Sequence, residues 1–325
     1  MSKGFKFFLI TFCLSLPLCW GTNLLEKNLK DFFFLQKIAQ DPQILTAQLN
    51  QILLEEKLEI LKPLPNKTAE NLNIQPKSGI SVLVKLSGQE KTLFEKDKNK
   101  ILPIASLTKL MTAKIVLENY ELEEIITISE KAVAIEGDSG EFKIGETFKI
   151  KDLLYSLLME SSNDAAFALS EVIGKKSFVN LMNFEAESLG LQNTYFADCM
   201  GLDPKIAEGP INYSTAEDLA KLTNYLLKNP LIWEISGTKE FDLYDANGIF
   251  HHQIKNTNKL LESVVWQAKI IGGKTGWTPR AGDCLLLVVK APKSQGYLIN
   301  IILGSEDRFG EMEQLLNWGE KAYKW

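Results

Sequence analysis

The first 22 residues combine a short basic segment with an apolar run. Lys3 and Lys6 precede the stretch from Phe7 to Gly21, which contains no charged residue. This pattern is typical of a secretory signal peptide with cleavage after Gly21, and a slightly longer run would serve as an uncleaved anchor. Because the lysines lie before the run, both versions export the rest of the chain. The sequence therefore predicts a signal peptide or an N-terminal membrane anchor at 1–22, with cleavage left open.

Residues 23–76 are predicted to form two amphipathic helices and a linker. Apolar residues recur at helical spacing from Leu24 to Leu61, and Asp41-Pro42 divides the segment in two. The helices either form a stalk or membrane-surface pair, or pack on the main domain. Three prolines and many polar residues favour a linker from Lys62 to Pro76.

The remaining residues, 77–325, begin and end with apolar patterns typical of strands. Ile and Val at alternate positions of 80–84 predict a strand that pairs with 91–94 across a Ser-Gly turn. Two further strands are predicted at 283–290 and 297–304, separated by a short turn that contains Pro and Gly.

Helical patterns occupy the middle and the end of this domain. A helix-rich segment extends from Ile104 to about Lys228, and a last helix is predicted from about Arg308 to Ala322. Strands at both ends of a helical middle indicate an α/β (α+β) fold, in which both chain ends build one antiparallel sheet with flanking helices and a helical insert. The seam between sheet and helices is a natural place for a pocket.

The composition of the 325 residues is that of a globular protein. Hydrophobic residues make up 45% and charged residues 24%, which excludes wholesale disorder and a polytopic membrane protein. The formal net charge of −5 disfavours nucleic acid as a partner, since nucleic-acid-binding surfaces are usually basic.

Histidine and cysteine are scarce, and their positions exclude several kinds of site. The only two histidines, His251 and His252, are adjacent, which excludes an HExxH zinc site and leaves little scope for a metal cage. They follow an Asn-Gly turn signal and are predicted to lie in an exposed hairpin or loop, so a histidine base is not expected. Cys199 and Cys284 lack metal-ligand spacing, and two buried free thiols are favoured over a disulfide. We therefore predict no metal and no cofactor.

The first candidate motif is Ser106-Leu107-Thr108-Lys109, at the start of a predicted helix. Residues three apart on a helix are neighbours, so Lys109 can place its amine beside the Ser106 hydroxyl. A neutral lysine can serve as the base for a serine nucleophile if burial and neighbouring cations lower its pKa. By itself the motif favours an ordinary serine at a helix N-terminus.

Two further polar motifs occur at predicted element boundaries. Ser161-Ser162-Asn163-Asp164 lies between two helical stretches, where a hydroxyl and an amide could pass a proton and hold a substrate amide, or simply cap a helix. Lys274-Thr275-Gly276-Trp277-Thr278 follows two glycines in a predicted edge strand, which could pair with an extended peptide. Its lysine and threonine offer a cation and a hydroxyl to a carboxylate.

The order of the motifs, S-x-x-K, S-x-N and K-T-G, resembles that of penicillin-binding proteins and class A β-lactamases. Their surroundings resemble more closely the D-alanyl-D-alanine carboxypeptidases of the S11 peptidase family, which are low-molecular-weight penicillin-binding proteins. The similar segments are Pro103–Ala113, Leu157–Ala166, Gly201–Asp203, Ser214–Leu219 and Lys274–Thr278. The resemblance covers roughly 77–325 and implies a serine DD-peptidase domain with a β-lactamase/transpeptidase-like fold.

The resemblance implies catalytic roles for residues of the first two motifs. Ser106 would be the acylated nucleophile, and Lys109 would be its base. Ser161 would relay protons, and Asn163 would bind and orient the substrate.

It also implies that the third motif binds substrate. Lys274 would set the electrostatics, and Thr275 would help to bind the terminal carboxylate. Gly276 would lie in the strand that lines the substrate, and the backbone N–H of Trp277 would complete an oxyanion hole with that of Ser106.

The implied activity is removal of the terminal D-alanine from peptidoglycan pentapeptides in the cell envelope or periplasm, with β-lactams as covalent inhibitors. Cell-wall organisation and cell shape are the implied processes, and the N-terminal segment would hold the protein at the membrane. Rival activities are a DD-endopeptidase, a β-lactamase or a non-catalytic penicillin-binding sensor. No E-x-x-L-N sequence occurs between Asn163 and Lys274, which disfavours a β-lactamase, and the intact motifs disfavour a sensor.

Overall fold

The computed structural model describes residues 63–137, 140–206, 208–263 and 269–325. The predicted signal peptide or anchor and the two predicted amphipathic helices lie outside the described residues, and the domain boundaries at 22 and 76 stay predictions. Backbone contacts divide the chain into a unit that ends at Pro65 and includes Lys324, and a larger unit of Asn66–Tyr323 and Trp325. Among the described residues, no helix combines the length and the apolar composition needed to cross a membrane.

The strands of the described residues are β1 (Leu64–Pro65), β2 (Ser78–Lys85), β3 (Glu90–Lys96), β4 (Leu102–Pro103), β5 (Ile125–Thr127), β6 (Thr147–Lys149), β7 (Tyr213–Ser214), β8 (Glu240–Tyr244), β9 (Phe250–Lys255), β10 (Ile270–Thr278), β11 (Gly282–Lys290), β12 (Gly296–Ser305) and β13 (Tyr323–Lys324). The α-helices are α1 (Lys109–Asn119), α2 (Glu130–Val133), α3 (Ile150–Tyr155), α4 (Asn163–Glu171), α5 (Lys175–Ser188), α6 (Ala216–Leu226), α7 (Pro230–Gly237) and α8 (Arg308–Ala322). Short 3₁₀ helices occupy Ala105–Thr108, Lys259–Glu262 and Pro292–Ser294, and a π-helix occupies Ser156–Glu160.

The main sheet has five antiparallel strands in the order β10-β11-β12-β2-β3. β2 and β3 precede the helices α1–α7, whereas β10–β12 follow them, so strands from both ends of the domain build one sheet. Each of the four strands predicted from the apolar patterns overlaps a strand of this sheet. The expected α+β architecture with a helical insert is therefore confirmed.

Both faces of the sheet are covered, which explains the continuous apolar run of β11. Leu286 and Val288 belong to the core on the side of the helical insert, whereas Leu285 and Leu287 belong to the core beside α8. Successive side chains of a strand point to opposite faces, so one run supplies both cores. Full burial of each leucine stabilises the fold by about 1.5–3 kcal/mol.

Part of the segment predicted as a linker is packed on the domain. Ile74 belongs to the core beside α8, Leu72 packs against that core, and Lys96 Nζ donates to the carbonyl of Ile74 over 3.1 Å. The sequence pattern shows the irregular backbone of this segment but not its packing.

The two cysteines of the described residues, Cys199 and Cys284, are both buried free thiols, as predicted. The histidines do lie in a hairpin, formed by β8 and β9, but the expected exposure is wrong. The side chains of His251 and His252 are only 10% and 16% exposed, because they pack against Glu146 and Glu160 of the helical insert.

Candidate active site

The first motif opens the central helix of the domain. The 3₁₀ helix Ala105–Thr108 leads directly into α1, so Ser106 lies in the first helical turn, as predicted. Ala105 has a φ of 46°, a conformation that costs a residue with a Cβ about 1–3 kcal/mol and that often occurs at functional sites. Gly201 packs against this turn, because a Cβ at Gly201 would lie 2.0 Å from the carbonyl oxygen of Ala105.

Lys109 is fully buried and faces the hydroxyl of Ser106. Its Nζ lies 2.9 Å from Ser106 Oγ, 2.8 Å from Asn163 Oδ1 and 2.8 Å from the carbonyl oxygen of Met200. The last two oxygens can only accept hydrogen bonds. A neutral amine that donates its two N–H groups to them retains its lone pair for the Ser106 hydroxyl. The geometry therefore gives Lys109 the position of a base.

The second motif begins where a π-helix ends. Ser161 follows Ser156–Glu160 in the left-handed conformation, with φ 70° and ψ 27°. Ser162 is the N-cap of α4 and accepts from the backbone N–H of Ala165 over 2.9 Å, so the capping interpretation applies to this serine. Ser161 and Asn163, on either side of the cap, contact lysines of the other two motifs.

The third motif lies on β10, at the edge of the main sheet, as predicted. Lys274 is buried, and its Nζ donates to Ser161 Oγ over 2.9 Å and to the carbonyl of Thr275 over 3.0 Å. At Gly276 the strand approaches Ser106, since a Cβ there would lie 3.0 Å from the backbone nitrogen of Ser106. The side chain of Trp277 is 60% exposed at the rim. The fold therefore joins residues that are far apart in the sequence.

Two residues that the sequence analysis missed support the third motif. Arg308, at the start of α8, donates from Nη1 to the carbonyl of Gly276 over 2.8 Å and lies 3.2 Å from Asp283 Oδ1. Thr257 Oγ1 lies 2.6 Å from Thr275 Oγ1 and donates to the carbonyl of Met159 over 3.1 Å. Neither residue belongs to a recognisable motif, so no sequence signal indicated them.

A cleft of about 350 Å³ lies where the motifs meet. It is lined by Ser106 and Asn163 on one side and by Leu202, Trp277 and Pro279 among others. A larger cavity of about 570 Å³, between residues 66–73 and α8, contains none of the motif residues. The smaller cleft is the candidate active site, because it combines apolar walls with the hydroxyl of Ser106.

A partly buried carboxyl lies next to the second motif. Burial raises the pKa of Glu160, and hydrogen bonds from Ser156 and His252 oppose that rise. Asp164 adds a like charge that raises the pKa of Glu160 further. A carboxyl in such surroundings holds a proton more strongly than it would in water.

Comparison with known proteins points to one family. The model of the peptidase S11 family, described as D-alanyl-D-alanine carboxypeptidase, matches residues 66–307. The chain is 30% identical over 267 residues to a D-alanyl-D-alanine endopeptidase of Pseudomonas aeruginosa, covering 78% of this chain and 84% of the relative. It is 32% identical over 252 residues to the D-alanyl-D-alanine carboxypeptidase DacC of Escherichia coli, covering 72% and 59%. An ampicillin-bound penicillin-binding protein of Listeria monocytogenes has a similar structure, with a TM-score of 0.66, 28% identity and coverage of 77% and 99%.

Proposed function

The chain belongs to the peptidase S11 family of D-alanyl-D-alanine carboxypeptidases, and we propose that it removes the terminal D-alanine from peptidoglycan stem peptides through an acyl-enzyme on Ser106. Membership makes it a serine-type hydrolase with a penicillin-binding fold. The observation that carries the proposal is the contact of Lys109 with Ser106, in which two carbonyl acceptors leave the lone pair of the amine to the serine hydroxyl.

Acylation would begin when Lys109 takes the proton of Ser106 Oγ. The oxygen then attacks the carbonyl carbon of the penultimate D-alanine, and the backbone N–H groups of Ser106 and Trp277 stabilise the oxyanion. The close approach of Gly276 to the Ser106 nitrogen supports this role, because Gly276 directly precedes Trp277 and brings its backbone close to that of Ser106. The C–N bond breaks, and the leaving D-alanine amine takes its proton from Ser161, which Lys274 contacts. Ser161 regains a proton from Lys109, so that Lys109 is neutral again before deacylation.

Deacylation would reuse the same base. Water attacks the acyl carbon, Lys109 accepts a proton from the water, and Ser106 Oγ leaves and regains that proton from Lys109. A separate carboxylate base of the β-lactamase type is not supported. Glu208, which begins the E-x-x-I-N sequence 208–212, is exposed, and Asn212 Oδ1 accepts from the backbone nitrogen of Ala197 over 2.6 Å.

Recognition of the substrate carboxylate would involve the third motif and Arg308. The Thr275 hydroxyl lies on the edge strand, and the Arg308 guanidinium donates to the Gly276 carbonyl of the same strand. Arg308 Nε is buried and has no hydrogen-bond partner among the described residues. A cation in this position would favour a substrate that ends in a carboxylate.

We also place the enzyme in the cell envelope, where its substrate occurs. The basic and apolar pattern of 1–22 supports export, and the same segment would tether an uncleaved protein to the membrane. β-Lactams would acylate Ser106 in place of the peptide, which is consistent with the ampicillin-bound structure of the Listeria relative.

A DD-endopeptidase activity is the second candidate. It is supported by the identity of 30% with the Pseudomonas endopeptidase over 84% of that relative. The same acyl-enzyme would form, but the leaving group would be the amine of a cross-linked stem peptide instead of free D-alanine.

The test is release of D-alanine from a peptide that ends in D-Ala-D-Ala, together with labelling by a fluorescent penicillin. Ser106→Ala is expected to abolish both signals, whereas Ser87→Ala, which changes an exposed turn serine, should retain both. A Ser106→Ala variant that still releases D-alanine would refute the assignment. A cross-linked stem-peptide dimer as second substrate separates the two activities, and loss of label within seconds would indicate a β-lactamase.

A further inference from the structure

The two histidines lie in a chain of four titratable groups that ends beside the second motif. Glu146 Oε2 lies 3.1 Å from His251 Nε2, and His252 Nε2 lies 3.0 Å from Glu160 Oε2. Between them, the Nδ1 atoms of His251 and His252 are 2.6 Å apart. Glu160 is the residue directly before Ser161.

The number of protons in this chain follows from its three contacts. Each contact is a hydrogen bond only if one proton lies between its two atoms, so the closed chain needs three protons. Two neutral imidazoles and two carboxylates supply only two. The closed chain therefore holds one additional proton, which either makes the imidazole pair cationic or neutralises Glu160.

The chain has apolar neighbours at one end. The rings of Phe142 and Phe148 lie 5.5 Å and 5.4 Å from the ring of His251. Burial raises the pKa of Glu160 at the other end of the chain. The further charged groups that face the chain are Asp164 beside Glu160, and Glu141, Lys143 and Asp245 beside His251.

A metal ion is not the natural occupant of this cluster. Imidazole nitrogens bind zinc at about 2.0–2.1 Å each, so two of them on one ion lie roughly 3 Å or more apart. The Nδ1 atoms of His251 and His252 are closer than that. A shared proton fits this distance, and a metal does not.

The chain is attached to both ends of the turn that presents Ser161. Glu160 Oε1 accepts from Ser156 Oγ over 2.5 Å, so the carboxyl connects the last residue of the π-helix to its first. Ser161 is in the left-handed conformation, which is unfavourable for serine and persists only if its neighbours hold it. Loss of the shared proton would leave two protons for three contacts, so either the two Nδ1 lone pairs would face each other or one histidine would lose the hydrogen bond to its carboxylate.

We propose that Glu160 and His252 are positioning residues for Ser161, and that the proton shared along Glu146, His251, His252 and Glu160 makes this positioning dependent on pH. The inference rests on the proposed function, because it assigns the reaction to Ser106 and the proton relay to Ser161. Deprotonation of the chain loosens the turn, and the Ser161 hydroxyl then leaves its place beside Lys274.

The first test measures the rate of acylation by a fluorescent penicillin between pH 5 and 9. Glu160→Gln and His252→Gln are expected to lower the maximal rate of acylation about fivefold, which is the effect of one net hydrogen bond. Both are also expected to remove the alkaline limb of the wild-type pH profile, because that limb reflects deprotonation of the chain. Glu123→Gln, which removes an exposed carboxylate paired with Lys149, should retain the wild-type profile. If Glu160→Gln and His252→Gln both kept the wild-type pH profile, the proposal would be overturned.

The second test does not depend on activity. Since the protein contains only two histidines, ¹⁵N-edited NMR of its imidazoles reports on these two residues alone. We expect a strongly deshielded N–H proton coupled to both Nδ1 atoms, and its loss in Glu160→Gln. Two imidazoles that titrate independently in the wild type would overturn the proposal. Wild-type acylation at Ser106 would leave the proposed function standing, so the two failures are distinguishable.

Discussion

Replacing Ser161 by glycine or by alanine separates the backbone strain of the second motif from its chemistry. Both substitutions delete the hydroxyl that Lys274 contacts over 2.9 Å, and neither adds a polar group. They differ in how readily the new residue adopts φ 70° and ψ 27°. The difference between the free energies of unfolding of the two variants therefore measures backbone conformational effects alone.

The expected magnitude follows from opposing effects. Alanine in the left-handed region costs about 1–2 kcal/mol, whereas glycine adopts it freely. Glycine loses about 0.4–1 kcal/mol more than alanine through the entropy of its unfolded chain. Ser161→Gly should therefore be more stable than Ser161→Ala by about 1 kcal/mol, which corresponds to roughly 2–4 °C in Tm for a domain of this size.

The assay is thermal unfolding of the two variants side by side, with D-alanine release measured on the same preparations. Both variants should lose activity equally, by about 100-fold or more, because both lack the proton relay. An alanine variant as stable as the glycine variant would show that Ser161 is not strained. Substantial activity in either variant would remove the relay role from its hydroxyl.

Three further predictions concern the residues that surround the motifs. Thr257→Val should raise KM about fivefold for peptides with a free terminal carboxylate, because Thr275 loses a partner at 2.6 Å. Thr257→Ser should restore the wild-type KM. An equal increase in KM for peptide carboxamides would contradict this prediction. Gly201→Ala should abolish penicillin labelling, since its Cβ would meet a backbone carbonyl at 2.0 Å, and a normally labelled variant would disprove the tight contact. Burial raises the pKa of the Cys199 and Cys284 thiols to about 11 in the folded protein, above their unfolded value, so stability that is complete below pH 9 should be lost as pH rises from about 9 to 11. Replacing both cysteines by alanine should reduce this pH-dependent decrease in the free energy of unfolding by about 2–3 kcal/mol per thiol, as measured by chemical denaturation. An unchanged pH dependence would refute the assignment.

The sheet and the first motif could be predicted from the sequence because both depend on local periodicity. Alternation fixes which side chains of a strand share a face, and burial on both faces explains the unbroken apolar run of 284–289. The i, i+3 spacing on a helix places Lys109 beside Ser106 before any tertiary contact is known, and the structure gives 2.9 Å.

The wrong prediction and the missed residues have one cause. Exposure of His251 and His252 was inferred from the turn before them, but their burial depends on Glu146 and Glu160 in another part of the chain. Thr257 and Arg308 act through single contacts with distant backbone or side-chain atoms. Contacts of this kind leave no periodic pattern in the sequence.

The sequence by itself determined the fold class, the candidate nucleophile with its adjacent amine, and the three motifs whose order resembles that of the family. Only the tertiary structure decided that Asn163, 54 residues from Lys109, directs the amine, and that Lys274, 113 residues from Ser161, contacts its hydroxyl. The physical reason is that a helix or strand fixes neighbours within a few residues, whereas contacts across the chain depend on how the sheet packs against the helical insert.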